Sequence, residues 1–363
     1  MTILQLISGS YVNGAIRHCY DLTCELALRG HRVVLGHKPG AWIGAQPLPP
    51  GVERMEMSLK RRPSELRRVA AALRERKVDI IHTHNSSAHF FGALLSLFWK
   101  FPRIGTSHGT FFQPHWRLCD RIIAPSEATA RYQRRVNLMP RARIDVIPNF
   151  VSLARLQSSR TREDVREELG AGRDTFVITT VGELFHRKNQ ELLVRAVPDL
   201  IAGGLQPLVL LAGKPDDGYR RKLQEIITAL RLESKIRILG QRSDIPDLLA
   251  ASDCFCLPSR TEVMPIALLE CMALGLPSVA TDVGGVAELV RHGVDGLITR
   301  SGDREGLATA LLRMGSDLEL RTRMGSTARE HVRACYSPEV CVPQIEESYR
   351  KTIARRRPGT VTA

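Results

Sequence analysis

Glu262 and Glu270 stand eight positions apart, with only apolar residues between them: Val263-Met264-Pro265-Ile266-Ala267-Leu268-Leu269. Such a run buries itself, and a buried carboxylate is costly unless a partner satisfies it. A ligand rich in hydroxyl groups is one such partner, and a sugar nucleotide brings several at once. The plainer alternative is a helix with one solvated glutamate at each end. Spacing alone does not separate the two.

The neighbouring elements give the pair a geometry. Asp253-Cys254-Phe255-Cys256-Leu257-Pro258 reads as a short buried strand stopped by proline. Ser259 to Glu262 is then a loop at its carboxyl end. Pro265 suits the first turn of a helix, where its missing N–H costs nothing. The helix is predicted over Ile266 to Leu274, with Gly275 to end it. Glu262 thus precedes a helix N-terminus, and Glu270 is expected about two turns inside. The free N–H groups of the first turn, Pro265-Ile266-Ala267, together with the helix dipole, favour an anion such as a diphosphate.

The flanks carry a family resemblance. Asp244-Ile245-Pro246-Asp247-Leu248-Leu249-Ala250-Ala251-Ser252-Asp253 precedes the acidic pair. Cys271-Met272-Ala273-Leu274-Gly275-Leu276-Pro277-Ser278-Val279-Ala280-Thr281-Asp282-Val283-Gly284-Gly285 follows it, then Glu288-Leu289-Val290 and Gly293-Val294-Asp295-Gly296-Leu297-Ile298. This run resembles the donor-binding half of the family-four retaining glycosyltransferases, which have the GT-B fold. The likeness spans nearly the whole chain and is strongest from Thr179 to Thr299. Asn13-Gly14-Ala15 is similar to the family's glycine-rich first loop, and His108-Gly109-Thr110 to its histidine loop. Val181-Gly182-Glu183-Leu184 through Lys188-Asn189 is similar to the segment that brings a basic pair to the donor diphosphate. Glu183 departs from the pattern, since the family usually has arginine there. Either Arg187 takes over that charge, or Glu183 turns away, or donor binding is weaker.

The resemblance implies an α/β chain of the GT-B type, two doubly wound Rossmann-like domains facing each other across a cleft. The N-terminal acceptor-side domain is expected over 1–152, with a C-terminal helix at about 340–356 packing back on it. The nucleotide-sugar domain is expected over 153–339, and a disordered tail over 357–363. By the same resemblance, Glu270 accepts hydrogen bonds from the ribose hydroxyls and Glu262 holds a hydroxyl of the donor sugar. Lys188, with Arg187, meets the diphosphate, and His108 contacts the donor sugar. Gly14 lets the backbone approach the phosphates, although Asn-Gly reads equally as a turn. The implied reaction moves a sugar from a nucleotide diphosphate sugar, a UDP-sugar favoured, to a carbohydrate or lipid-linked acceptor hydroxyl. Same-face attack retains the anomeric configuration. No cofactor and no metal are expected, and polysaccharide, lipopolysaccharide or glycolipid assembly is the common setting. Glu183 keeps a second reading in view, a catalytically silent relative that binds a sugar nucleotide or a membrane surface as a scaffold. A sugar-nucleotide epimerase would need an acid and a base that the residues do not offer.

Composition agrees with two cores. A chain of 363 residues is too long for one ordinary core. The formal charge is +14, concentrated in Lys60-Arg61-Arg62, Arg67-Arg68, Arg74 to Lys77 and Arg355-Arg356-Arg357. Such clusters point to an anionic membrane surface or to a solvated basic face. No aromatic-interleaved platform accompanies them, so nucleic acid is not an expected partner. The eight cysteines form no C-x-x-C pair, and Cys254 and Cys256 read as small buried residues. The expected location is cytoplasmic, peripheral at the inner face of the plasma membrane, with no cleaved leader ahead of Thr2-Ile3-Leu4. His82 and His84 share a strand face but lack a third metal ligand at useful spacing. Phe90 to Trp99 reads as a helix buried against the first sheet, or else one dipping into lipid. The aromatics of Phe111 to Trp116 are expected on the acceptor side.

Strand and helix patterns alternate throughout, as in parallel sheets with helices on both faces. Arg155 to Arg173, polar and charged, reads as a partly helical linker between the two domains.

Overall fold

The computed structural model describes residues 1–356, and the expected tail at 357–363 lies outside the described residues. The chain divides into two units. One is Met1–Phe150 with the described residues from Pro338 onward; the other is Val151–Ser337.

The first unit is a seven-stranded, all-parallel sheet. Its strands are β1 (Thr2–Ile7), β2 (Arg32–His37), β3 (Val52–Glu56), β4 (Ile80–His84), β5 (Arg103–Thr106), β6 (Arg121–Ala124) and β7 (Ile144–Val146), in the order β3-β2-β1-β4-β5-β6-β7. Alternation along β1 sends Ile3 to one face and Leu4 and Leu6 to the other. Leu4 and Leu6 join Leu66, Val69, Phe91 and Leu95 from two helices. Ile3 joins Leu22, Leu26 and Ile104 with Cys341, Val342, Ile345 and Tyr349 of the helix Pro338–Arg356. The C-terminal helix is therefore part of this unit's core. β3 escapes sequence reading because, of Val52-Glu53-Arg54-Met55-Glu56, only Met55 is buried. An edge strand needs little apolar patterning.

The second unit is a six-stranded, all-parallel sheet. It holds β8 (Thr175–Val181), β9 (Gln206–Ala212), β10 (Ile236–Gly240), β11 (Cys254–Leu257), β12 (Ser278–Thr281) and β13 (Gly296–Thr299), in the order β10-β9-β8-β11-β12-β13. β8 and β11 are buried along almost their whole length, as expected of strands covered on both faces.

Arg155 to Arg173 is not a linker. Its helix Arg162–Glu168 packs Val165 and the following Leu169 against Val177, Leu210 and Leu248 of the second unit. Arg162 and Arg166 both bind Asp253, whose Oδ2 also accepts from the Val177 amide at 2.8 Å. Two of the segment's arginines thus converge on one carboxylate at the foot of β11. Replacing Asp253 by alanine should lower stability by about 1–3 kcal/mol, because it leaves the Val177 amide without its acceptor and takes the counter-charge from two guanidinium groups that keep only carbonyl partners. A smaller urea midpoint in equilibrium unfolding would show this, and an unchanged midpoint would contradict it.

Candidate functional site

In a doubly wound sheet, ligands sit beyond the carboxyl ends of the strands where the strand order reverses. In the second unit that point lies between β8 and β11. The loop after β8 carries Lys188, and the loop after β11 carries Ser259 and Glu262. The Lys188 ammonium lies 2.7 Å from Glu262 Oε1, and Ser259 Oγ donates to the same oxygen at 2.6 Å. Arg187 reaches within 3.7 Å of Oε2. The Glu262 side chain is only 5 % exposed, so its carboxylate depends on these partners.

Backbone contacts hold the two loops together. The Arg260 amide donates to the Arg187 carbonyl, and Asn189 Nδ2 to the Pro258 carbonyl. Asn189 has φ 52°, a left-handed conformation that asparagine tolerates better than most residues. Gly284 is required twice over. Its φ is 58°, and an added Cβ would lie 1.7 Å from the Glu262 carbonyl oxygen. The Gly285 amide then donates to Val263, tying the loop after β12 to the acidic loop.

The helix after Glu262 runs Ile266–Ala273, with Pro265 in the N-cap position. This corrects two expectations. Pro265 takes an extended N-cap conformation just outside the helix, and Glu270, four residues after the helix start at Ile266, lies little more than one turn inside it and not two. Ile266 and Ala267 keep the first-turn positions expected of them. Glu270 is 8 % exposed and pairs through Oε1 with Arg155 Nη2 at 2.8 Å. Sequence reading missed Arg155, which lies more than a hundred residues away in the segment read as a linker. Glu183 is half exposed, 3.9 Å from Arg187. Arg187 thus stands between two carboxylates, Glu183 and Glu262.

The first unit gathers a second group of residues at its own point of reversal, between β1 and β4. Gly14 opens the helix Gly14–Leu28, which Asn13 caps by accepting from the Ile16 amide at 3.1 Å. His108, in the loop after β5, places Nε2 3.0 Å from His84 Nδ1. His18, from that first helix, packs edge-on against it. His82 and His84 are buried and hydrogen-bonded, and among the described residues no His, Cys, Asp and Glu cluster is arranged to hold a metal. Burial pushes the pKa of His18 down to about 4 and those of His82, His84, His89 and His108 well below the usual imidazole range.

The apolar helix Ser86–Trp99 buries Phe91 and Leu95 in the first core, but Leu97 and Phe98 of its last turn are exposed. Trp116 is a core residue against His89, whereas Phe111 and Phe112 face solvent. Cys254 and Cys256 are buried, and burial raises both thiols. No helix among the described residues is long and apolar enough to cross a membrane.

Known proteins share this architecture. Over 97 % of this chain and all of its own, the Anabaena HepE protein, solved with UDP and glucose, superposes with a TM-score of 0.84 at 24 % identity. The two parallel-sheet units are those of the GT-B fold. The profile for glycosyl transferases group 1 matches residues 161–331, and that for glycosyltransferase family 4 matches residues 12–155. The chain belongs to the family-four glycosyltransferases. An Escherichia coli relative, UDP-Gal:alpha-D-GlcNAc-diphosphoundecaprenol alpha-1,3-galactosyltransferase, is 29 % identical over 76 % of each chain. A lipopolysaccharide core biosynthesis glycosyltransferase of Rhizobium meliloti is 29 % identical over 67 % of this chain and 66 % of its own.

The histidines carry a pH prediction. Each is neutral when folded and titrates near 6.5 when unfolded, so their stabilisation is complete above that pH. It is lost as pH falls from 6.5 toward the lowered folded values, because the unfolded chain takes up the protons first. Each should remove up to about 1.4 kcal/mol per pH unit in that window. Melting temperatures between pH 7 and 5 should fall steeply, and a flat profile would count against buried neutral imidazoles.

Proposed function

We propose that this chain is a retaining glycosyltransferase that moves a sugar from a nucleotide diphosphate sugar to an acceptor hydroxyl. The observation that carries the proposal is Lys188 against buried Glu262 where β8 and β11 part, beside the free first turn of the helix Ile266–Ala273. A cation next to a helix N-terminus is suited to a diphosphate. A bound diphosphate would compete with Glu262 for the Lys188 ammonium, freeing the carboxylate to accept from a sugar hydroxyl.

In the reaction, the acceptor oxygen attacks the anomeric carbon as the bond to the diphosphate breaks. The electron pair leaves with the nucleoside diphosphate. The acceptor proton passes to a departing phosphate oxygen, on the face from which that group leaves. Lys188, Arg187 and the amides of Ile266 and Ala267 stabilise the charge that builds there. The proposal therefore calls on no metal and no cofactor. Glu270 would take the ribose hydroxyls, with Arg155 holding one of its oxygens in place. Gly14, at a helix start, would lie near phosphate, and His108 would accept from the donor sugar. UDP is the favoured nucleotide, since the Escherichia coli relative and the Anabaena structure both name it.

Glu270→Ala should abolish UDP binding in calorimetry, whereas unchanged affinity would remove the ribose role. Lys188→Ala should lower kcat by about 100-fold or more while leaving UDP-sugar binding measurable. If kcat stays the same, the charge-stabilising role of Lys188 fails.

The acceptor is proposed to be lipid-linked, in polysaccharide, lipopolysaccharide or glycolipid assembly at the cytoplasmic membrane face. The Escherichia coli relative is named for a diphosphoundecaprenol-linked acceptor, and the Rhizobium relative for lipopolysaccharide core biosynthesis. Lys60, Arg61 and Arg62 are exposed ahead of the helix Pro63–Glu75, which turns Leu66, Val69 and Leu73 inward and Arg67 and Arg74 outward. The chain should sediment with vesicles containing anionic lipid but not with neutral ones, and added salt should release it. Equal sedimentation with both would show that the basic face plays no part.

A further inference from the structure

His108 reaches inward to a chain of buried groups that the sugar-binding reading does not use. Its Nε2 is 3.0 Å from His84 Nδ1, and His84 Nε2 is 2.8 Å from Gln5 Oε1. Gln5 Nε2 donates to Tyr349 Oη at 3.0 Å. Tyr349 Oη is 2.7 Å from His82 Nδ1, and His82 Nε2 is 2.7 Å from Thr106 Oγ1. Gln5, His82, His84, Thr106 and Tyr349 are all buried. The strand register produces the chain. Gln5 of β1 lies opposite His82 of β4, His84 lies opposite Thr106 of β5, and Tyr349 comes down from the C-terminal helix onto the same face.

The direction of each hydrogen bond follows from what each atom can do. A carboxamide oxygen only accepts, so His84 Nε2 must carry a proton. Burial holds the His84 ring neutral, so its Nδ1 is bare and can only accept. The His108 Nε2 facing it must therefore be the N–H. His108 is also held neutral by its surroundings, which leaves its Nδ1 as a bare acceptor. At the other end, Tyr349 Oη accepts from Gln5 and so donates to His82 Nδ1, and His82 Nε2–H donates to Thr106. Turning the Gln5 amide over would reverse every bond and put the His108 proton on Nδ1. One buried amide thus sets the form of a ring two residues along the chain.

We propose that Gln5 and His84 are positioning residues that lock His108 in its Nε2–H form, so that its Nδ1 accepts a hydrogen bond from a hydroxyl of the donor sugar. The second half rests on the reading of His108 as a sugar contact; the first half does not. A donor sugar would then be recognised by a hydroxyl that can give its proton, not by a group that only accepts.

Imidazole nitrogen NMR on the full chain labelled with 15N-histidine reads the form of each ring directly. In the wild type, His84 and His108 should both carry the proton on Nε2. In Gln5→Leu and His84→Phe, His108 should show a mixture of its two forms, and kcat/KM for the donor should fall in proportion to the fraction left in the Nε2–H form, about twofold for an even mixture. A His108 proton on Nδ1 in the wild type overturns the proposal, and needs no variant to fold. A Gln5→Leu enzyme with wild-type spectrum and turnover also overturns it. If His108→Ala keeps wild-type kcat/KM while the wild-type spectrum is as stated, the lock stands and the sugar-contact reading alone fails.

Discussion

The buried carboxylate of Glu262 sets the terms for the second unit. An ionised group so little exposed is stable only with a cation at hydrogen-bonding distance, and Lys188 is that cation. The two residues come from loops on different strands, so the pair needs β8 and β11 to be neighbours. Gly284 and Asn189 follow from the same demand: one clears space against the Glu262 backbone, the other turns its chain left-handed to stitch the loops. Charge pairing and loop geometry are one constraint here.

The first unit handles polarity differently. Its buried polar groups around His108 are neutral, and they satisfy one another in a chain from Thr106 to His108. Neutral partners avoid the desolvation cost of ions, but each depends on the next, because removing one orphans another. This explains why the C-terminal helix belongs to the first core. Tyr349 fills space there and also completes the hydrogen bonds of Gln5 and His82. The same connectedness makes the unit sensitive to acid.

Much of the fold was legible in the chain. Strands buried on both faces read as continuous apolar runs, and the helix after Glu262 showed its stop at Gly275. The acid pair, the lysine and the histidine loop were singled out through motif and resemblance, and the structure brings Lys188 to Glu262. What escaped had a common cause. β3 lies at a sheet edge and carries charge. The helix Arg162–Glu168 turns Arg162 and Arg166 onto Asp253, a partner about ninety residues away. Arg155 meets Glu270 from a distance of 115 positions, and Gln5 meets Tyr349 from 344. No local pattern marks a residue whose partner is remote.

Local order in the chain determined which segments become strands and helices, where each loop falls, and which residues those loops present, because hydrophobic period and turn chemistry act over a few residues. Tertiary structure alone decided which charges pair and which buried polar groups meet, as Arg155 meets Glu270 and Gln5 meets Tyr349. Those outcomes depend on strand order and register, which bring distant side chains within 3 Å of one another, and hydrogen-bond energy falls steeply beyond that range.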